Sequence, residues 1–224
     1  KGVEIIMHHE TSAATETYEK QQDTAYPNII SREGLRGQEF NAWANDGGNP
    51  PEHLPIVAFT RMLAGPIDFT PGIFNIKFDE YRKDNQVNTT LAQQLALYVV
   101  IYSPIQMAAD LVEHYEANPE PFQFIKYVGV DWEETKVLNG AVGDFVTIAR
   151  KERETGNWFV GGITDENSRE IELSFDFLEK DSNYEVRIYK DGKTAHWNDN
   201  PLDIDIQKID LSHESKLKIQ LAEG

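Results

Sequence analysis

The chain has 224 residues, which is enough to bury a substantial core as one large domain or two modest ones. Its formal net charge of −17 argues against nucleic acid as a partner, because the phosphates would be repelled. The lack of cysteine excludes disulfides and thiol chemistry, and the longest apolar run, 95–101, is too short to span a membrane.

The first predicted element is a short buried strand at 3–9, which is rich in β-branched residues. Because side chains alternate along a strand, His8 and Glu10 would point to one side and His9 to the other. The polar segment 11–26 predicts a solvent-facing helix. A strand that ends in polar residues and leads into a helix is typical of the active-site edge of an α/β barrel.

The segment 27–53 brings carboxylates into an irregular loop. Glu33 and Glu39 are six positions apart, so they would not share one face of a helix. They converge only where the backbone is irregular, which Gly34 and Gly37 permit. Such a loop indicates a cation site, an acid/base site or both, and the alternative is a solvated acidic surface.

The most pronounced helical pattern covers 89–115, where an apolar stripe predicts a helix packed against a sheet. Pro104 marks a break or kink in this helix. The segment 65–74 resembles a strand end that places Asp68 beside a turn. Three further elements are predicted: a helix at 54–63, a helix or turn at 119–126, and the approach to a strand at 128–137.

From about residue 140 the pattern changes to short alternating runs separated by turn signals, which predicts an antiparallel β-sandwich. The predicted strands are 145–150, 158–163, 170–175, 184–189, 204–209 and 216–221. We therefore divide the chain into an α/β part at 1–140 and an all-β part at 141–224. Trp158 and Trp197 could stack on sugar faces, although such aromatic side chains more often belong to a core.

Four motifs between residues 7 and 74 occur in one consistent order. They are HHETSAATETYEKQQD, YPNIISREGLRGQEFNAW, GGNPPEH and AFTRMLAGPIDFTPGIF. Together they resemble glycoside hydrolase family 97, the α-glucosidase and α-galactosidase family. The resemblance implies an α/β plus all-β fold: part of a (β/α)8 catalytic barrel at 1–140, followed by an antiparallel β-sandwich at 141–224.

The resemblance also implies roles for individual residues. Glu10 matches the general base of the inverting members, and Glu39 matches the general acid. Glu33 and Glu39 match ligands of a bound calcium ion, and His8 would hydrogen-bond a sugar hydroxyl. The implied activity is calcium-dependent hydrolysis of α-linked glucosides or oligosaccharides with inversion, in the periplasm or another exported compartment of a bacterium.

Two departures from the family pattern affect these expectations. The N-terminal super-sandwich and the first half of the barrel are absent, together with one calcium-ligating glutamate. Near 25–27 the sequence runs directly into YPN, where the family has further barrel elements and a His-Glu-Pro motif that supplies another base and calcium ligand. The start at Lys1-Gly2 is what we expect of a processed product or an excised piece.

Half a barrel leaves open sheet edges and an unfilled interior. We therefore expect this chain alone to hydrolyse sugars poorly and to bind calcium weakly, and either to self-associate or to pair with the missing part of the barrel. Two alternatives stay open: a non-catalytic carbohydrate-binding or scaffold module, and a retaining α-galactosidase relative. The sequence does not decide between glucose and galactose.

Overall fold

The computed structural model describes residues 6–8 as backbone and residues 29–224, with side chains from residue 30 onward. Strand β1 (Ile6–His8) pairs in parallel with strand β2 (Ile29–Arg32), with His8 opposite Arg32. β1 lies within the predicted strand at 3–9. The predicted helix at 11–26 lies outside the described residues.

The parallel arrangement continues beyond β2. Ile67 forms a parallel bridge with Arg32, and the Asp68 N–H donates to the Arg32 carbonyl at 2.7 Å. On the other side, the Ile67 N–H donates to the Tyr102 carbonyl at 2.9 Å. Glu33 and Asp68 therefore follow neighbouring extended segments at the same edge, as predicted for Asp68.

Five α-helices and one 3₁₀ helix are described after β2. They are α1 (Phe40–Trp43), α2 (His53–Phe59), the 3₁₀ helix (Arg61–Ala64), α3 (Leu91–Val100), α4 (Val112–Ala117) and α5 (Pro119–Tyr127). The helices predicted at 54–63 and 119–126 are confirmed, the first of them as α2 and the 3₁₀ helix. Among the described residues, no helix has both the length and the apolar character that a bilayer crossing requires.

The prediction of a helix over 89–115 is confirmed for α3 and for residues 112–115, which begin α4, but it is wrong between them, where the chain is not helical. α3 begins after Thr90, whose hydroxyl accepts a hydrogen bond from the Gln93 N–H at 3.2 Å. It ends at Val100, and Ile101 is extended, with ψ at 105°. Helix α3 ends for two reasons. The Tyr102 carbonyl accepts a hydrogen bond from the Ile67 N–H of the neighbouring extended segment, and Pro104 cannot continue a helix.

Seven antiparallel strands follow the helices. They are β3 (Trp132–Ala141), β4 (Phe145–Glu152), β5 (Trp158–Thr164), β6 (Arg169–Ser174), β7 (Asn183–Asp191), β8 (Ile204–Ser212) and β9 (Lys216–Leu221). They form a three-stranded sheet β3-β4-β5 and the pairs β6-β9 and β7-β8. The six strands predicted between 145 and 221 are all confirmed, and side chains from the sheet and both pairs share one core cluster.

Helix α3 is held at both ends by residues of the antiparallel part. At its C-terminal end, the Arg150 guanidinium donates to the carbonyls of Val99 (2.6 Å) and Val100 (3.4 Å). Burial lowers the pKa of Arg150 to about 10, so the side chain stays charged at neutral pH. At the N-terminal end, a hydrogen bond joins Thr90 to the buried side chain of Asp191. Burial raises the pKa of Asp191, and the hydrogen bond from Thr90 lowers it by a smaller amount. The Arg150 cation at the C-terminal end complements the helix dipole.

Candidate active site

The two predicted carboxylates of segment 27–53 lie on the loop that leaves the carboxyl end of β2. Glu33 is the first residue after β2, and its side chain is almost fully buried at 1% exposure. Gly34 follows with φ at +63°, in the left-handed region that favours glycine, so the chain turns sharply at this point. Glu10 lies outside the described residues, and His8 is described only as backbone. Their roles therefore stay predictions.

The backbone of Glu33 is fixed by Arg61. Arg61 Nε donates to the Glu33 carbonyl at 3.0 Å, and Nη2 donates to the Arg32 carbonyl at 2.8 Å. The same guanidinium reaches the carbonyls of Gly65 (3.4 Å) and Pro66 (3.3 Å). One cation thus ties the end of β2 to the loop that leads into the next parallel segment. This role of Arg61 was not predicted, because nothing in the sequence around Arg61 reveals a contact with residues 28 or more positions away.

The Glu39 carboxylate is held by Thr70, which is 31 positions later in the chain. Thr70 Oγ1 donates to Glu39 Oε2 at 2.9 Å and accepts a hydrogen bond from the Gln38 N–H at 3.0 Å. The Glu39 carboxylate lies against the backbone of Gly37, because a Cβ added at Gly37 would overlap Glu39 Oε2. Glu39 remains half-buried, so its carboxylate is both supported and accessible.

The loop after Thr70 is anchored by a buried amide of α3. Gln94 Oε1 accepts hydrogen bonds from the N–H groups of Gly72 (2.9 Å) and Ile73 (3.0 Å). Gln94 Nε2 donates to Thr89 Oγ1 at 2.7 Å, and the Gln94 side chain is fully buried. Because a buried polar group costs stability unless it is paired, this amide holds the loop in one conformation.

A carboxylate just before α4 anchors the next residues of the same loop. Asp110 Oδ2 accepts hydrogen bonds from the N–H groups of Phe74 (2.6 Å) and Asn75 (2.7 Å). Tyr115 donates to the Gly72 carbonyl at 2.8 Å. Burial raises the pKa of Tyr115 to about 12, so the phenol keeps its proton at neutral pH. Residues 72–75 are therefore fixed from two sides.

A set of asparagines orders the coil that carries the motif GGNPPEH. Asn49 Nδ2 donates to the Gly37 carbonyl at 2.9 Å, and the Asn49 N–H donates to Asn41 Oδ1 at 3.2 Å. Asn88 Nδ2 in turn donates to the Asn49 carbonyl at 2.8 Å. The side-chain amides replace the missing backbone pairing of the coil and support Gly37, the residue beneath the Glu39 carboxylate.

His53, at the end of the same motif, supports the loop from the other side. One ring N–H, at Nε2, donates to the Arg36 carbonyl at 3.0 Å. Burial lowers the pKa of His53, while the hydrogen bond to Arg36 acts in the opposite direction. A neutral imidazole is sufficient for this contact, because the bond needs only one donor.

The predicted calcium site is only partly represented in the described residues. Calcium takes six to eight oxygen ligands, and carboxylates such as Glu33 and Glu39 have the right chemistry. Within residues 6–8 and 29–224, however, no group of three or more histidine, aspartate or glutamate side chains is placed to hold a metal ion. The donor type fits calcium, but the number of donors in this part of the chain does not complete a site.

The two tryptophans that could stack on sugars both contact other rings. Trp158 is half-buried, and its ring lies 4.7 Å from that of Phe177. It lines a cleft of about 750 Å³ between the antiparallel strands and helices α3 and α5, which Arg187 also borders. Trp197 is half-buried and stacks on His196 at 5.9 Å. Both rings contribute to packing.

A family model and similar solved structures both point to glycoside hydrolase family 97. Residues 131–224 match the family model described as glycosyl-hydrolase 97 C-terminal, oligomerisation. The chain is similar to the solved structure of a glycoside hydrolase family 97 enzyme from Pseudoalteromonas sp. strain K8 in complex with acarbose. The identity is 52% and the TM-score is 0.88, over 98% of this chain and 33% of that one. A variant of that enzyme in complex with panose matches equally well.

Two curated relatives are named as galactosidases. The retaining alpha-galactosidase of Bacteroides thetaiotaomicron is 34% identical over 203 residues, which are 89% of this chain and 30% of that protein. The probable retaining alpha-galactosidase of Streptomyces bingchenggensis is 32% identical over 137 residues, which are 61% of this chain and 19% of that protein. The chain thus spans a third or less of the length of the proteins it matches.

Proposed function

We propose that this chain carries part of the catalytic machinery of an enzyme that hydrolyses α-linked sugars. The premise is that the chain belongs to glycoside hydrolase family 97. The observation that supports this most strongly is the Glu39 carboxylate. It is half-buried, it sits on the loop beyond the carboxyl end of β2, and it is held by the Thr70 hydroxyl at 2.9 Å. A general acid needs this combination of access and fixed orientation.

The parallel segments around β2 support a barrel as the framework of the site. β1, β2 and the extended segment at Ile67 run in the same direction, and polar residues follow the ends of the last two. In α/β barrels the catalytic residues lie at this carboxyl edge. We therefore propose that residues 1–140 belong to a (β/α)8 barrel whose other strands come from the rest of a longer protein.

The proposed reaction is hydrolysis with inversion. Glu39 donates a proton to the glycosidic oxygen as the bond from that oxygen to the anomeric carbon breaks. Glu10 accepts a proton from a water molecule, whose oxygen attacks the anomeric carbon from the opposite face. The two carboxyl groups of an inverting pair are about 6.5–9.5 Å apart, which leaves room for that water. His8, two residues before Glu10 in the same motif, is proposed to bind a sugar hydroxyl.

We propose α-linked oligosaccharides as the substrate class and calcium as the cofactor. The solved structures of the related Pseudoalteromonas enzyme are complexes with acarbose and with panose. Glu33 and Glu39 are proposed as two of the calcium ligands, and the others would come from outside the described residues. When bound, calcium would supply positive charge that positions or polarises the sugar.

The family also suggests where the enzyme is located and how copies of it associate. We propose that the enzyme is exported in a bacterium, for example to the periplasm. Self-association is proposed for the part at 131–224, because the family model that matches it is described as an oligomerisation region. The small sheets of this part leave strand edges through which copies could pair.

A retaining α-galactosidase is the second candidate function. It is favoured by the names of both curated relatives, which are 34% and 32% identical to this chain. The intact HHET motif with Glu10 favours inversion instead. The stereochemistry of the product separates these two functions.

The test uses the complete polypeptide that contains this chain. We expect Glu39→Gln to lower kcat/KM about 10²–10⁴-fold on α-linked disaccharides of glucose or galactose, because their leaving group needs a proton and the amide cannot donate one as an acid does. Glu80→Gln, at an exposed glutamate, is the control and should keep full activity. NMR of the first-formed anomer then distinguishes inversion from retention. Full turnover by Glu39→Gln would exclude the proposed role.

A further inference from the structure

Thr70 is the side chain that decides how the Glu39 carboxylate is oriented. A hydroxyl has one hydrogen to donate and can accept two hydrogen bonds. Thr70 Oγ1 accepts from the Gln38 N–H at 3.0 Å, and its own hydrogen goes to Glu39 Oε2 at 2.9 Å. The Gln38 N–H can only donate, and an ionised carboxylate can only accept, so both bonds run in these directions when Glu39 is ionised.

This direction distinguishes the two oxygens of Glu39. Protonation of Glu39 on Oε1 keeps the hydrogen bond from Thr70 to Oε2, whereas protonation on Oε2 would force the Thr70 hydrogen to turn to another acceptor. The contact therefore favours the acidic proton on Oε1, the oxygen that Thr70 does not contact. A general acid is effective only when its protonated oxygen faces the leaving group within hydrogen-bond reach.

Neighbouring contacts support the backbone on both sides of the Thr70–Glu39 pair. Gly37 lies so close beneath the carboxylate that a Cβ there would overlap Glu39 Oε2, and Asn49 holds the Gly37 carbonyl at 2.9 Å. Two residues beyond Thr70, the buried Gln94 amide fixes the backbone N–H of Gly72 at 2.9 Å. Residues that are distant in sequence therefore hold the backbone next to both members of the pair.

We propose that Thr70 is a positioning residue for the general acid, and that its hydroxyl selects the oxygen of Glu39 that carries the catalytic proton. The inference rests on the proposed function, in which Glu39 is that acid. It has a consequence that a purely structural role lacks. Loss of the hydroxyl should slow only those substrates whose leaving group needs a proton.

The test compares Thr70→Val, which keeps the shape but lacks the hydroxyl, with Thr70→Ser, which keeps the hydroxyl. Both are made in the complete polypeptide and assayed on an α-linked disaccharide and on the corresponding α-glycosyl fluoride, whose leaving group needs little protonation. We expect Thr70→Val to lower kcat on the disaccharide about 10–100-fold with little change in KM, since a small misplacement of a catalytic group has effects of this size. Turnover of the fluoride should stay within about threefold, and Thr70→Ser should restore the disaccharide rate.

Glu39→Gln, assayed in parallel, separates the two proposals. If it abolishes disaccharide turnover while Thr70→Val retains it, the positioning role is wrong and the proposed function stands. If Glu39→Gln retains turnover, the proposed function itself is wrong. An equal loss by Thr70→Val on both substrates would mean a structural role and would overturn the inference.

Gly37→Ala is the second variant in case Thr70→Val does not fold. The φ of Gly37 lies outside the left-handed region, so alanine is compatible with the backbone, but its Cβ displaces the carboxylate. We expect the same selective loss on the disaccharide. A loss that is equal for the disaccharide and the fluoride would again contradict the inference.

Discussion

The site-bearing part of the chain and the antiparallel part are stabilised in different ways. Around the site, buried side chains donate to or accept from the backbone of irregular loops, as Gln94, Arg61 and Asp110 do. In the antiparallel part the backbone pairs with itself across strands. Most of the charged pairs described there are exposed, for example Lys216 with Glu172 at 3.0 Å. Loops that carry catalytic groups cannot use strand pairing, so buried polar side chains take over its role.

This difference predicts where substitutions are costly. A buried polar side chain that serves backbone groups leaves them unpaired when it is removed, whereas an exposed pair returns to water. Large losses of stability should therefore concentrate in the loops at 33–75 and in the helix that anchors them. The exposed faces of β6 to β9 should tolerate change.

The largest effect is expected for Gln94→Met, which keeps the side-chain length but removes the acceptor of two buried N–H groups. Each buried donor left without a partner costs about 1–3 kcal/mol, so the free energy of unfolding should fall by about 2–5 kcal/mol. Gln207→Met is the matched control, because Gln207 is exposed on β8. Urea unfolding of the complete polypeptide measures both. Equal losses for the two variants would contradict the comparison between the regions.

The next effect concerns two glycines with left-handed backbone. Gly72 has φ at +86° and Gly156 has φ at +73°. An added Cβ at Gly72 would overlap the Tyr98 hydroxyl, whereas at Gly156 the nearest heavy atom, Lys151 Cε, is 4.0 Å away. We expect Gly156→Ala to cost about 1 kcal/mol for the backbone alone, and Gly72→Ala about 2–4 kcal/mol because overpacking is added.

Thermal unfolding of the two alanine variants provides the measurement. The difference between them isolates the close approach at the site loop, since the backbone conformation is similar in both. If Gly72→Ala were no more destabilising than Gly156→Ala, the loop at 72–75 would be adaptable, and the anchoring by Gln94 would have to be weaker than its hydrogen bonds imply.

The sequence predicted the antiparallel strands well because their signal is local. Alternating side chains and turn residues lie within ten positions of one another, and the predicted strand at 216–221 agrees with β9 at both ends. The long helix predicted at 89–115 failed for the opposite reason. The apolar stripe continues through Ile101 as buried extended chain, and the partner that makes it extended, Ile67, is distant in sequence.

The candidate site shows the same limit. The sequence identified Glu33 and Glu39 and the glycines that let their loop bend, and Gly34 indeed has positive φ. It did not identify Thr70, Gln94 or Arg61, because each acts on a residue at least 21 positions away. Such contacts leave no periodic pattern, so a single sequence offers no signal for them. The roles of Glu10 and His8 stay predictions.

The smallest effect that should still be measurable is at Asp165, after β5, where the antiparallel part does contain a buried charged pair. Burial alone would raise the pKa of Asp165, but hydrogen bonds from Arg169 and Asn167 outweigh it, so the pKa lies below its ordinary value.

A carboxyl whose pKa is lowered by folding adds stability above its unfolded pKa and loses it as the pH falls through the folded value. We therefore expect Asp165→Asn to lower the free energy of unfolding by about 1 kcal/mol at pH 7, and the difference from the wild type to shrink as the pH falls below about 4. Glu170→Gln, which breaks an exposed contact with Lys218, is the control and should leave unfolding unchanged at both pH values. A loss at Asp165 as large as at Gln94 would show that the antiparallel part also depends on buried polar contacts, and the contrast between the two regions would then be one of degree.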